Sequence, residues 1–199
     1  MDLDNTIYPV NAIGDNLFGP VIELIEQNGA YSGTMNQIKT EIMKRPFQGI
    51  ANDFSFSEDL KAKCLNLLSD LTYNKRITPF EDYIYLKEIP CEKFLVTTGF
   101  TKMQYSKIEQ LNIKNDFTEI FVIDPAVSDL TKKDLFRQIL NQNNYKTDEV
   151  VVVGDDLNSE IAAARELGLT TVLYDHTSDH AKTENQIIIN NFRELQNHI

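Results

Sequence analysis

Val150-Val151-Val152-Val153-Gly154-Asp155-Asp156 is the stretch that decides the fold. An apolar, β-branched run with no alternation reads as a strand buried on both faces, the habit of a central parallel strand. Working downstream, Asn158 is placed to cap a helix running to Leu167 and closed by Gly168, and residues 171–174 form the next strand. A loop follows, then a strand at 186–189 and a last helix from Asn191. His176 and His180 fall in that loop four positions apart, and no metal pair is expected of them. Working upstream, helices over 132–142 and 102–111 alternate with strands at 119–123 and 93–97. A short amphipathic helix at 82–88 leads in after Thr78-Pro79. Strands alternating with helices predict an α/β fold: a Rossmann-like parallel sheet covered on both faces.

Residues 12–77 have another character. Ile13, Leu17, Phe18, Val21, Ile22 and Ile25 recur at helical spacing over 12–27, with Gly29 as the stop. A second helix is expected over 34–44, and a third opens at Ser57 with Glu58 and Asp59 in its first turn. Between them, 46–56 reads as a looser stretch whose Phe47, Phe54 and Phe56 are core residues or faces for a ring to stack on. No strand is expected here. The chain therefore divides into a core of residues 1–11 and 78–199 and a helical insertion of residues 12–77.

Composition narrows the partners. With 199 residues and a net charge of -11, the chain disfavours nucleic acid and anionic membrane, both polyanions. Cys64 and Cys91 have neither metal-ligand spacing nor a disulfide framework and read as reduced thiols of a cytoplasmic protein. No apolar run is long enough to span a bilayer, and no signal pattern opens the chain. Monomer and homodimer both remain open.

The chemistry gathers at strand ends. Ligands of open α/β sheets bind beyond the carboxyl ends of the strands. There stand Thr97, Thr98 and Gly99 after one strand, and Gly154, Asp155 and Asp156 after another. Lys132 and Lys133 open a helix, and Met1-Asp2-Leu3-Asp4-Asn5-Thr6 begins the chain. In an extended segment Asp2, Asp4 and Thr6 would face one side, two acids that repel unless a cation or a shared proton intervenes. Paired acids, a hydroxyl, a cation and further acids suit phosphoryl transfer assisted by Mg²⁺, which takes oxygen ligands. Each part also has a plainer reading. The threonines favour strands, the lysines suit a solvated helix start, and Glu160 suits a helix first turn. Asp155, directly after an apolar strand and a glycine, fits such a reading least.

The order D-L-D-N-T, L-V-T-T-G-F, T-K-K-D-L-F, V-V-V-G-D-D-L-N-S-E resembles the haloacid dehalogenase-like (HAD) hydrolases over nearly the whole chain. The helical insertion resembles the cap of subfamily IA, and D-L-D-N-T-I-Y-P resembles the pyrimidine 5′-nucleotidase-like phosphatases. The resemblance implies Asp2 as nucleophile and Asp4 as general acid and base, with Lys132 stabilising charge and Lys133 a competitor. It implies phosphate binding by Thr97, Thr98 and Gly99, and a Mg²⁺ site of Asp2, Asp4 (through its carbonyl) and Asp155. Glu160 or Asp156 would hold a metal-bound water. The implied activity is hydrolysis of a small phosphorylated metabolite, a nucleoside monophosphate among them, through an aspartyl-phosphate. A phosphotransferase or mutase and an impaired phosphate-binding protein are the alternatives. One departure stands out: the resembled fold has an apolar strand before the nucleophile, and here only Met1 precedes Asp2. Upstream residues are expected to complete it, the alternatives being another segment or a truncated, impaired chain; were Met1 the true terminus, its free amino group would lower the Asp2 pKa.

Overall fold

The computed structural model describes residues 1–178 and 186–199, so His180 lies outside the described residues. Helices α1 (Asn11–Asn28), α2 (Met35–Ile42), α3 (Phe47–Asp53) and α4 (Glu58–Asp70) come first. Then come α5 (Tyr83–Glu88), β1 (Phe94–Thr98), α6 (Thr101–Leu111), β2 (Glu119–Ile123) and α7 (Lys132–Asn143). The chain closes with β3 (Val151–Gly154), α8 (Glu160–Arg165), β4 (Thr170–Tyr174), β5 (Ile187–Ile189) and a 3₁₀ segment, Phe192–Asn197.

Local chemistry explains most boundaries. Thr34 and Thr131 each close a capping box on the helix they precede, and Ser57 accepts from the Leu60 amide. Asn158 does not cap α8: its amide donates to Asp156 Oδ1, and the helix starts only at Glu160. The stretch expected to be loose instead forms α3 behind Pro46. Phe47, Ile50 and Ala51 are buried at helical spacing, and Arg45 ties Glu41 to Asp53 at 2.6 Å each. Phe56 packs edge-on against Phe47, so Phe56 belongs to the core, not to a stacking face. The final helix is 3₁₀, opened as expected by Asn191.

Among the described residues all strand pairs are parallel: β1 with β2, β3 with β4, and β4 with β5. They fall into two sheets, β1-β2 and β3-β4-β5. No strand forms at the N-terminus; its backbone alone joins the two. Met1 N donates to Phe94 O at 3.0 Å, and Met1 O accepts from Val96 N at 2.9 Å. Asp2 N donates to Val153 O at 3.0 Å on the other side. Met1 and Asp2 thus hold one rung of a central strand, which brings Asp2 level with the carboxyl ends of β1 and β3. Beneath that rung lies a slot of about 580 Å³ lined by Phe94, Val96, Val151, Val153, Phe136 and Leu195. One apolar cluster runs from helices α1 to α4, through Leu17, Ile50 and Leu68, to Leu95 and Met103 below. No described helix is long and apolar enough to cross a membrane.

Candidate active site

A cavity of about 400 Å³ lies between the strand ends and helices α1 to α4. Asp2, Asp4, Thr97, Thr98, Gly99, Lys132, Asp155, Asp156 and Glu160 all line it, so each site residue expected from the sequence reaches one place. They do not arrive as expected. The segment after Leu3 is a turn, not an extension: the Ile7 amide returns to Leu3 O at 2.9 Å, and Asn5 takes a left-handed φ of 56°. Asp4 is thereby turned toward α6. Thr6, fully buried, donates to Asp155 Oδ1 at 3.0 Å and so braces that acid beside Asp2.

Carboxylate oxygens of Asp2, Asp155 and Glu160 all lie within 4.8 Å of one another. Lys132, the first residue of α7, reaches 2.7 Å from Asp2 Oδ1 and 2.7 Å from Glu160 Oε2. One ammonium thus serves an acid cluster larger than it can neutralise. Burial pushes the Asp2 carboxyl up to about 7, with Glu160 and Asp4 adding to the rise and Lys132 opposing it. Burial and the charges of Asp2 and Glu160 push Asp155 up to about 8. Burial outweighs the attraction between the amino terminus and Asp2, so the carboxyl rises where the amino group alone would lower it, and burial draws the Met1 ammonium itself down to about 6. Burial also works against charge on Lys132 and Glu160. Their mutual contact, with Asp2 helping Lys132, outweighs it, raising the lysine and lowering the acid. A buried, oxygen-only set short of positive charge fits a hard divalent cation such as Mg²⁺.

Neighbouring candidates separate cleanly. Lys133 points to the surface and pairs with Glu166 at 2.5 Å. Glu160 contributes an oxygen to the acid cluster directly, whereas Asp156 turns its carboxylate to the Asn158 amide and its own amide to Glu160 Oε1. Glu160 can lie there because Gly154 has no side chain: a Cβ would sit 2.1 Å from Glu160 Oε1. The Gly99 amide is spent on Ile123 O at 2.9 Å.

Three residues to which the sequence reading gave no site role surround Asp4. Lys107 Nζ lies 3.0 and 3.1 Å from its two oxygens, Gln104 Nε2 lies 3.0 Å from Oδ2, and the Tyr8 hydroxyl donates to Oδ1. Burial raises the Asp4 carboxyl, but Lys107 and these donors outweigh it and hold it below the usual carboxylate range. Gln104 and Lys107 are buried on α6 among Met103, Ile108 and Leu111. Polar residues on an otherwise apolar helix face were the available signal.

A family model described as haloacid dehalogenase-like hydrolase matches residues 1–174. The glyceraldehyde 3-phosphate phosphatase of Pyrococcus furiosus is 22% identical over 196 residues, 87% of this chain and 78% of the relative. The ribulose-1,5-bisphosphate 5-phosphatase of Halopiger xanaduensis is 28% identical over 99 residues. That match takes in 50% of this chain and spans only 41% of the relative's length. Among solved structures, the haloacid dehalogenase-like protein SP0104 of Streptococcus pneumoniae superposes with a TM-score of 0.73 at 17% identity, over 99% of this chain and 95% of that one. The HAD-hydrolase YfnB of Bacillus subtilis, solved bound to magnesium, superposes with 0.67 at 18% identity over 99% and 95%. At these identities the structural likeness is one of fold, and it agrees with the parallel strands. Because the family model takes in all of the motifs and most of the chain, the chain belongs to the haloacid dehalogenase-like hydrolase family.

Proposed function

We propose that this chain is a Mg²⁺-dependent phosphomonoesterase of a small phosphorylated metabolite, with Asp2 as the nucleophile. The observation that carries the reading is Asp2 held 2.7 Å from Lys132, its oxygens grouped with those of Asp155 and Glu160. Asp2 attacks phosphorus and the ester P–O bond breaks; Asp4, held as the anion in the resting site, takes up a solvent proton and passes it to the leaving oxygen. Water then attacks the phosphorus of the aspartyl-phosphate and gives a proton to Asp4, which frees Asp2 and phosphate. Lys132 offsets charge on Asp2 and the phosphoryl group. Thr97 Oγ1 accepts from Gln104 Nε2 at 2.6 Å, which leaves its own hydrogen free for a phosphoryl oxygen. Held by Asp2, Asp155 and Glu160, Mg²⁺ would supply the positive charge that lets a phosphate dianion approach these acids.

The substrate we favour is a phosphorylated sugar or triose over a nucleoside monophosphate. Relatives act on glyceraldehyde 3-phosphate and ribulose-1,5-bisphosphate, by the names they carry. Phe56, one of the rings that could have held a base, is taken up by Phe47 and Tyr31. The test is hydrolysis of p-nitrophenyl phosphate with Mg²⁺, with chelator, and by Asp2→Asn. Activity should need the metal and fall at least about 1,000-fold in the variant. A folded Asp2→Asn chain that keeps its rate would remove Asp2 as nucleophile.

A further inference from the structure

The contacts around Asp4 point past the acid to the helix behind it. Lys107 is 3% exposed and Gln104 1%, and polar groups bury at such depth only when paired. Their pairing is specific. Lys107 spends its ammonium on both oxygens of Asp4. Gln104 Nε2 divides its hydrogens between Asp4 Oδ2 at 3.0 Å and Thr97 Oγ1 at 2.6 Å. Space for that amide exists because Gly99 lacks a side chain: a Cβ there would stand 2.9 Å from the Gln104 side chain. The N-terminal segment, the end of β1 and one face of α6 are thus joined in a single buried hydrogen-bonded unit.

We propose that Lys107 and Gln104 are positioning residues of two different kinds: Lys107 aims Asp4 at the leaving oxygen, and Gln104 ties that aim to the phosphate grip of Thr97. The inference rests on the proposed phosphatase reading and extends it to residues that touch neither phosphate nor metal. Its consequence is a dependence on the leaving group. When the ester bond of an alkyl phosphate breaks, the departing alkoxide must be given a proton. A p-nitrophenolate departs without one. The parameter kcat/KM covers events only through departure of the alcohol, so it isolates this step from the later attack of water.

The test measures kcat/KM for glycerol 3-phosphate and for p-nitrophenyl phosphate with Mg²⁺, in the unaltered chain, Lys107→Met, Lys107→Arg and Gln104→Leu. Lys107→Met should lose about 100-fold on the alkyl ester and less than about tenfold on the aryl ester. Lys107→Arg keeps a charge and donors and should recover part of the alkyl loss. Gln104→Leu frees Thr97 as well as Asp4, so both esters should suffer, with a raised KM. Equal losses on the two esters in Lys107→Met would make Lys107 a structural residue and overturn the proposal, as would no loss. Should Lys107→Met lack a cooperative melting transition, the other two variants decide: an alkyl-selective loss in Gln104→Leu, or unselective behaviour in Lys107→Arg, overturns it. An unaltered chain that hydrolyses neither ester removes the phosphatase reading itself. One that hydrolyses both while Lys107→Met stays unselective removes only this inference.

Discussion

Lys132 and Lys133 are adjacent in the chain, yet one ammonium sits 2.7 Å from both Asp2 and Glu160 while the other meets Glu166 at the surface. The first turn of α7 separates them: Thr131 caps the helix, and the next two side chains leave on different faces. Lys132→Ala should lower kcat at least about 100-fold, the scale for removing a group that stabilises charge as the reaction proceeds. Lys133→Ala should stay within about twofold, since an exposed ion pair contributes little. Similar losses in both would remove the assignment. Motif order singles out Asp2 and Asp155 but leaves Lys132 and Lys133 open, because it fixes which helix the lysine opens and not the face from which each side chain leaves. It does not reach Lys107 and Gln104. Gln104 meets Asp4 across 100 positions of chain, and the one local signal, two polar residues on the apolar face of α6, does not name their partner. The sequence places Thr6 only as a hydroxyl on the same side as Asp2 and Asp4. Its partner Asp155 lies 149 positions away, so the sequence could state the hydroxyl but not the bond.

Among the elements, the central rung of Met1 and Asp2 is the least supported. It joins β1 to β3 by a few backbone bonds above an apolar slot of about 580 Å³. Burial also draws the Met1 ammonium down to about 6, whereas a peptide N–H in its place would donate to Phe94 O without carrying charge. An engineered run of five β-branched residues ahead of Met1 should therefore enter the slot beside Phe94 and Val151. Each side chain fully buried contributes about 1.5–3 kcal/mol before the cost of ordering the chain. At about 2–4 °C per kcal/mol for a domain of this size, Tm should rise by several degrees. A Gly/Ser run of equal length is the control, and an equal shift from both would show that the slot does not accept a strand. Periodicity gave the alternating elements of residues 82–199 nearly to their ends. It missed α3, because a seven-residue helix holds too few apolar positions to show a period. It also could not show that the sheet divides in two, since pairing across β1 and β3 depends on backbone between them and not on either strand's residues.

Over the whole molecule, the charge of the acid cluster couples folding to protons and metal. Asp2 and Asp155 stand near 7 and 8 in the folded chain, against 3.8 for ordinary carboxyls. The folded state therefore binds more protons than the unfolded one above about pH 4, and the stability these two contribute is lost as pH rises through 7 to 8. Asp4 and Glu160, held low, act in the opposite sense, but only in acid. The Met1 ammonium, drawn from 8.0 to about 6, favours the folded state as pH rises between those values and offsets one of the two acids there. The net effect is a fall in stability from about pH 4 to about 7, then little change to about 8. With chelator present, Tm should be lower at pH 8 than at pH 5.5. A divalent cation competes with those protons, so added Mg²⁺ should raise Tm more at pH 8 than at pH 5.5. General repulsion in a chain of net charge -11 also grows with pH, so the magnesium shift, not Tm alone, is the diagnostic. Asp155→Asn removes one acid of the cluster without changing its shape, and its magnesium shift should shrink at pH 8 and lose most of its pH dependence. A shift equal at both pH values in the unaltered chain, or unchanged in Asp155→Asn, would place the cation elsewhere than among Asp2, Asp155 and Glu160.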